Sequence, residues 1–400
     1  MHVAVIGSGP AGLMAAETAA SAGHQVTVFE QHRSPGRKFL LAGRSGLNLT
    51  HGEDLERFLD RYGPDRRHLE TAIRGFDPDA LRSWSAGLGE DTVVGSSGRV
   101  FPASHRATPL LRAWLERLAG LGVELRLQHR WTGWDSGALV FRNADDDVVP
   151  VVADATVIAC GGPSWPRVGG DGSWAEAVEA EGVTVVPFGA VNCGVLVGWS
   201  EQMLANHEGT PIKNVAVRVV RTDGPVQRGD IVVTRTGLEG GPVYALSRGL
   251  RSAPSAALQI DLAPDLPPAA LVERLQRRRK GATQTAWLRT AGVPSVAIAL
   301  LRDATANSLP DDAEAMAALV KAVELPIDGL AALDRAISSS GGVSFDEIDE
   351  HFMLRSHPGV FVAGEMLDWE APTGGYLLQA CFSTGAAAAR GAIAWHATTA

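Results

Sequence analysis

The chain opens on a pattern that few folds accommodate. A short apolar run, a glycine-punctuated turn, an alanine-rich stretch and a second apolar run closed by an acid follow one another within thirty residues. His2–Ile6 predicts a parallel strand buried on both faces. Gly7-Ser8-Gly9-Pro10-Ala11-Gly12 comes next, and the good helix formers of Leu13–Ala22 predict a helix. Gln25–Phe29 predicts a second strand, ending in Glu30. Gly7 permits the tight turn, Gly9 lets backbone approach a pyrophosphate, and Gly12 lets helix and strand pack closely. Pro10 and Ala11 lie at the helix start, where free N–H groups and the positive dipole end face the phosphates. Glu30 stands where a carboxylate accepts hydrogen bonds from a ribose diol. A lone GxGxxG says little, but here it has strand, helix and acid in order, which marks a dinucleotide-binding βαβ unit.

NAD and FAD both use this fingerprint. A dehydrogenase would continue into another helix and strand, whereas Gln31–Thr50 reads as a basic, glycine-punctuated loop with little periodicity. Such a segment suits an extended path from adenosine to isoalloxazine. Arg37 and Lys38 within it are either phosphate-neutralising or plain surface charge. A second signal lies near the other end. Val360–Ala363 predicts a strand, Gly364-Glu365 follows, and Thr373-Gly374-Gly375-Tyr376-Leu377-Leu378 leads into a small-residue helix over Gln379–Ala394. Glu365 would bond ribitol hydroxyls. The helix start at Gly374, Gly375, Tyr376 and Leu377 would face the flavin's electron-rich pyrimidine edge. Together the two ends indicate FAD, held by a domain to which the chain returns.

On these residues the sequence resembles the YhiN/BaiN-like flavoproteins, NAD(P)/FAD-dependent oxidoreductases. The matching segments are GSGPAGL, GRKFLLAGRSGLNLT, GRVFPASHRATPL at 98–110, CGGPSWPRVGGDGS at 160–173, RTGLEGGP at 235–242, GGVSFDEID at 341–349 and GEMLDWEAPTGGYLLQACFSTG at 364–385. The resemblance implies an α/β fold: a Rossmann-like FAD-binding domain built from both chain ends (1–188 and 338–400), a β-rich insert (189–265 and 326–337) and a helical subdomain within it (266–325). Strand patterns over Val215–Val220, Asp230–Thr236 and Ala256–Leu262 agree, as do helical ones over Ala269–Lys280, Ser295–Ala304 and Asp311–Glu324. Gly122–Trp131 resembles the strand whose last residue meets the adenine, which places Trp131 there. Gly46 and Leu47 stand where the family carries Arg and Cys, with Asn48 and Thr50 kept, and Glu239-Gly240-Gly241 replaces Ser-Gly-Pro. Both loops are expected at the flavin.

The flavin N5 would carry the hydride, so no metal or protein nucleophile is required. The protein must position a substrate and move a proton. Glu239, a carboxylate in the glycine-rich insert loop, is the candidate proton donor; its alternative is a solvated loop acid. Asn48 and Tyr376 are candidates for bonding the flavin edge, or are satisfied turn residues. Gly161-Gly162 ends a strand, but Pro163 and Pro166 break any helix after it, so a second dinucleotide domain is not expected. NAD(P)H is then a transient reductant, or another donor serves. There is no CxxC pair: Cys160, Cys193 and Cys381 are far apart and read as buried thiols.

The net charge of −9 argues against nucleic-acid binding as a main task. The one strong basic run, Arg277-Arg278-Arg279-Lys280, reads as a solvated helix face, with a ribosomal RNA contact as the minority alternative because some family members reduce an RNA uridine. No run of about 18 apolar residues predicts a membrane span, and the N-terminus lacks a signal-peptide pattern, so a cytoplasmic location is expected. The leading expectation is a reductase or dehydrogenase acting on a small molecule. Small-amine oxidation with oxygen, RNA uridine reduction and a nucleotide sensor without turnover are the alternatives.

Overall fold

A computed structural model describes residues 1–399 apart from Ser45, Asp223 and 252–256. The chain divides into two compact units, Met1–Gly189 with Ser338–Ala400, and Ala190–Ile337.

The first unit is organised by five parallel strands. These are β1 (His2–Ile6), β2 (Gln25–Glu30), β3 (Glu124–Leu127), β4 (Ala155–Ile158) and β5 (Val360–Val362), in the spatial order β5-β4-β1-β2-β3. Between the first two runs α1 (Pro10–Ser21), and α2 (Arg37–Ala42) follows β2. The last element, α3 (Tyr376–Thr399), packs on α1. Val3, Ala4, Val5, Val28, Val157, Phe361 and Val362 are fully buried, as strands covered on both faces require. Small residues decide the helix packing. A Cβ on Gly12 would lie 1.9 Å from the Gly7 carbonyl oxygen, and one on Gly385 would lie 2.2 Å from that of Ala11. Helix α1 is therefore in backbone contact with the strand–helix turn on one side and with α3 on the other.

The second unit has its own core. Its seven-stranded sheet runs in the order Val323–Pro326, Ala257–Asp261, Pro211–Val219, Gln227–Thr234, Gly237–Glu239, Val195–Leu196 and Gly329–Leu330. Helices Pro268–Gln276, Gln284–Ala291, Ser295–Ala304 and Ala313–Lys321 share that core through Leu271, Trp287, Leu300 and Met316.

Several local expectations are corrected. The segment 31–50 is not all loop: Gly36, left-handed at φ 65, starts α2, and Leu111 fills the space where its side chain would be. Gly122–Trp131 is not one strand. Gln128 turns left-handed at φ 56 and His129 N donates to Glu30 O, so Trp131 belongs to a separate strand, Arg130–Asp135, in another sheet. The basic run does not lie on a helix face, because the helix ends at Gln276 and Arg277 is its C-cap. The helix expected over 311–324 stops at Lys321, having been capped by Asp312, and Val323–Pro326 joins the sheet. Helix α3 starts three residues early, directly after the Gly374-Gly375 turn. Ala256 and Ser45, inside the expected strand and loop, lie outside the described residues.

Candidate functional site

The C-terminal ends of β1, β2, β4 and β5 bring the two sequence signals to one edge of the sheet. Gly7 is left-handed at φ 102, and any Cβ there would strike Ala159 O at 2.3 Å. Gly9 differs. Its φ of −75 suits any residue, yet nothing lies within 4 Å of its missing Cβ. It is the N-cap of α1, with Pro10 in the first turn, so the N–H groups of Ala11 and Gly12 have no helical carbonyl to serve. Open space against unserved donors is a cradle for an anion. Glu30 closes its far side. Its buried carboxylate accepts from Ser8 N at 3.3 Å, from the Ser8 hydroxyl and from His32 N at 2.8 Å.

The Gly161 and Gly364 turns, left-handed at φ 72 and 79, follow the neighbouring strands β4 and β5. A buried indole fixes each: Trp174 Nε1 donates to Gly161 O and Trp369 Nε1 to Gly364 O, both at 2.8 Å. Glu365 accepts from Ser339 N at 3.0 Å, Gly162 N at 3.4 Å and Lys38 Nζ at 3.1 Å. Lys38 also donates to Gly162 O at 3.0 Å, and Arg37 donates to Val168 O and Arg167 O at 3.2 and 3.0 Å. Both cations thus tie α2 to the loop after β4.

At the start of α3, Gly374 and Gly375 are left-handed at φ 134 and 97. A Cβ on Gly375 would sit 2.5 Å from the backbone of Thr50. Thr50 is fully buried, and Thr50 Oγ1 and Asn48 Oδ1 have no hydrogen-bond partner among the described residues. Buried polar atoms left over beside a helix N-terminus are what a heteroaromatic ring with polar edges would satisfy. Glycine cradle, anchored acids and orphaned polar atoms fit FAD as one run along the sheet edge. Leu47 adds no polar group, being a core residue. Leu377 follows in the first turn of α3.

Tyr376 is differently placed from the flavin-edge donor expected of it. Its hydroxyl donates to Glu53 Oε1 at 2.5 Å, and its carbonyl accepts from the buried Tyr62 hydroxyl at 2.8 Å. Burial, then the Glu53 carboxylate, pushes its phenol far up. Glu53 also takes Arg61 Nη2 at 2.7 Å, while the His51 ring stacks on Tyr376 at 5.5 Å. Burial raises the Glu53 carboxyl, but hydrogen bonds from Arg61 and Tyr376 outweigh it and leave it below its ordinary 4.5. A depressed folded-state value means stability present above the unfolded value and lost as pH falls through the folded one. Glu53→Gln is therefore expected to cost about 1–2 kcal/mol at neutral pH. In thermal unfolding the gap to the parent should be full above pH 4.5 and close on further acidification. A gap constant down to pH 3 would contradict this.

Trp131 is buried, packs edge-on against Trp134 at 4.7 Å, and its Nε1 has no partner among the described residues. Glu239 lies in the second unit, half-buried, where Tyr244 Oη donates to it at 3.3 Å. Burial, then that carboxylate, raises the Tyr244 phenol to about 12. Of the basic run, Arg277 pairs with Glu273, and Arg278 pairs with Asp311 while covering the Trp287 ring at 4.3 Å. Among the described residues no group of His, Cys, Asp and Glu is arranged to hold a metal ion, and no helix is long and apolar enough to cross a membrane.

The family model described as the HI0933-like protein Rossmann domain matches residues 1–391. A 3-dehydro-bile acid delta(4,6)-reductase of Clostridium scindens is 27% identical, covering 98% of both chains. The ribosomal RNA dihydrouridine synthase of Escherichia coli is 25% identical over 98% of this chain and 97% of its own. Among solved structures, a flavocytochrome c3 fumarate reductase superposes with a TM-score of 0.54 at 17% identity, covering 99% of this chain and 78% of the other. A 3-ketosteroid-delta4-(5alpha)-dehydrogenase of Rhodococcus jostii RHA1 does so at 0.53 and 18%, covering 98% and 96%. The chain belongs to the HI0933-like family and is an FAD-dependent oxidoreductase.

Proposed function

We propose that the chain reduces a carbon–carbon double bond conjugated to a carbonyl in a small cyclic molecule, with NAD(P)H as the electron source. The observation that carries the flavin's position is the pair of orphaned buried atoms, Asn48 Oδ1 and Thr50 Oγ1, beside the α3 N-terminus. In this reading Gly7, Gly9, Pro10, Ala11 and Gly12 hold the pyrophosphate and Glu30 the ribose. Trp131, Gly161 and Gly162 border the adenosine side. Gly364 and Glu365 take the ribitol, with Lys38 and Arg37 holding that loop in place. Asn48, Gly374, Gly375, Tyr376 and Leu377 frame the ring. Bound FAD supplies two-electron hydride chemistry.

The full-length bile acid relative supports a reduction, since it is named a delta(4,6)-reductase. Reduction of the conjugated double bond takes one hydride and one proton, while NAD(P)H becomes NAD(P)⁺. Glu239, paired with Tyr244, is the proposed proton donor. RNA as substrate has less support here, because Arg277 and Arg278 already have acidic partners.

The test is anaerobic reduction of the yellow protein by NADH and by NADPH, then reoxidation by a panel of cyclic enones, an amine-derived imine and air. Reduction by a nicotinamide followed by reoxidation fastest with an enone is the expected result. Reoxidation fastest in air, with peroxide formed, would replace the reading by an oxidase. In Glu239→Gln the reductive half should be unchanged and the enone half slowed about 100-fold; equal slowing of both halves would remove Glu239 from the proton step.

A further inference from the structure

The loop after β4 carries two features that the flavin site does not use. Trp165 adopts a left-handed backbone at φ 53 and is 38% exposed. A bulky side chain in that region is strained, and its exposure means that no core packing repays the strain. Beside it, Ser164 is fully buried and its hydroxyl has no partner among the described residues. The loop is nonetheless firmly held. Arg37 binds the carbonyls of Arg167 and Val168, Lys38 that of Gly162, and the His32 ring lies 3.2 Å from Gly169 O. Gly169 accepts the Lys38 stem, whose Cδ would be 2.2 Å from any Cβ there.

Three attachments to the β2–α2 segment therefore hold an indole out in the open. Their spacing leaves Arg167 at the loop's exposed tip, with its guanidinium in no ion pair among the described residues. An exposed flat ring, an adjacent guanidinium and a spare buried hydroxyl match a nucleotide: base for the indole, phosphate for the cation, a ribose or amide group for the hydroxyl. No second dinucleotide fold exists among the described residues to take an NAD(P)H, since the turn after β4 leads to no helix before Trp174. The Lys38–Glu365 pair and the Glu53–Tyr376 cluster offer no such place, because their groups are already engaged with each other.

We propose that Trp165, Ser164 and Arg167 form the docking site for the nicotinamide dinucleotide that reduces the flavin, with Trp165 stacked on one of its bases. The inference rests on the proposed NAD(P)H-dependence.

The decisive variant is Trp165→Gly, in the flavin-loaded protein. Glycine relieves the left-handed strain, so its thermal midpoint should equal or exceed the parent's. In anaerobic stopped-flow, the NADPH or NADH concentration giving half-maximal flavin reduction should rise about tenfold. The limiting rate and the enone half-saturation should stay within about twofold. Trp165→Phe should recover most of the affinity, and Arg167→Glu should weaken the donor again without affecting the acceptor. An unchanged donor concentration in Trp165→Gly overturns the assignment. A rise in the acceptor's half-saturation instead makes the loop an acceptor platform and equally overturns it. If neither nicotinamide reduces the parent protein, the donor reading itself fails, an outcome distinct from a parent that responds and a variant that does not differ.

Discussion

Replacing Gly9 by alanine is expected to leave the protein folded and strip it of flavin. The backbone at Gly9 is already in a conformation open to any residue, and a methyl group would meet no protein atom within 4 Å. Alanine at an N-cap costs a few tenths of a kcal/mol relative to glycine, up to about 1 kcal/mol. The urea midpoint should accordingly move little. The methyl would, however, occupy the space that a pyrophosphate needs to reach the N–H groups of α1, and no side-chain cap competes for those donors. FAD titrated into the apoprotein should bind at least about 100-fold more weakly, a loss of roughly 3 kcal/mol. Gly12→Ala supplies the contrast. Its Cβ would lie 1.9 Å from Gly7 O, and α1 cannot retreat because the Gly385 backbone of α3 closes its other side. That variant should lose flavin and stability together. Wild-type FAD affinity in Gly9→Ala would move the phosphates away from this turn.

The contrast between these glycines also explains which parts of the site are legible in the sequence. The βαβ start is legible because its parts are contiguous: Gly7, Gly12 and Glu30 act within one thirty-residue unit. The returning Gly364-Glu365 and Gly374-Gly375 are legible as glycine–acid and glycine–glycine punctuation. Their partners are not. Lys38 meets Glu365 across 327 residues of sequence, and Glu53 meets Tyr376 across 323, so no local pattern can pair them. Lys38 reads as a phosphate cation or as plain surface charge, and its engagement with Glu365 emerges only when β2 and β5 share a sheet edge. Nothing near Trp174 and Trp369 in sequence announces a hydrogen bond to a glycine carbonyl. The break before Trp131 is hidden for a different reason. It rests on one left-handed glutamine, Gln128, where glycine or asparagine would have given a turn signal. The basic run misleads because no glycine or proline stands between Gln276 and Lys280, so nothing in the sequence announces that the helix ends at Gln276 with Arg277 as its C-cap.

Glu17 carries the largest stability effect expected outside the glycines. It lies on the buried side of α1, 9% exposed, with its carboxylate at the junction of α1 and two neighbouring helices. Oε2 accepts from the indoles of Trp84 at 2.9 Å and Trp114 at 2.6 Å, while Oε1 accepts from Arg117 Nη1 at 2.9 Å. Removing the acid leaves two buried indole donors unpaired, each costing about 1–3 kcal/mol, and an Arg117 only partly able to recover water. Glu17→Leu is therefore expected to destabilise the protein by about 3–5 kcal/mol, although it adds apolar volume to an apolar surround. Glu17→Gln separates charge from hydrogen bonding. Its carbonyl can serve the indoles only by turning its amide N–H groups toward Arg117, donor against donor, so about half the loss should remain. Urea unfolding followed by far-UV circular dichroism reads both, as midpoints shifted at unchanged slope. FAD affinity, measured where each variant is still folded, should change little, since the Glu17 carboxylate is bonded to Trp84, Trp114 and Arg117 rather than to the glycine turn. A leucine variant as stable as the parent would mean that the indoles find other acceptors, and the carboxylate would then be dispensable to the junction.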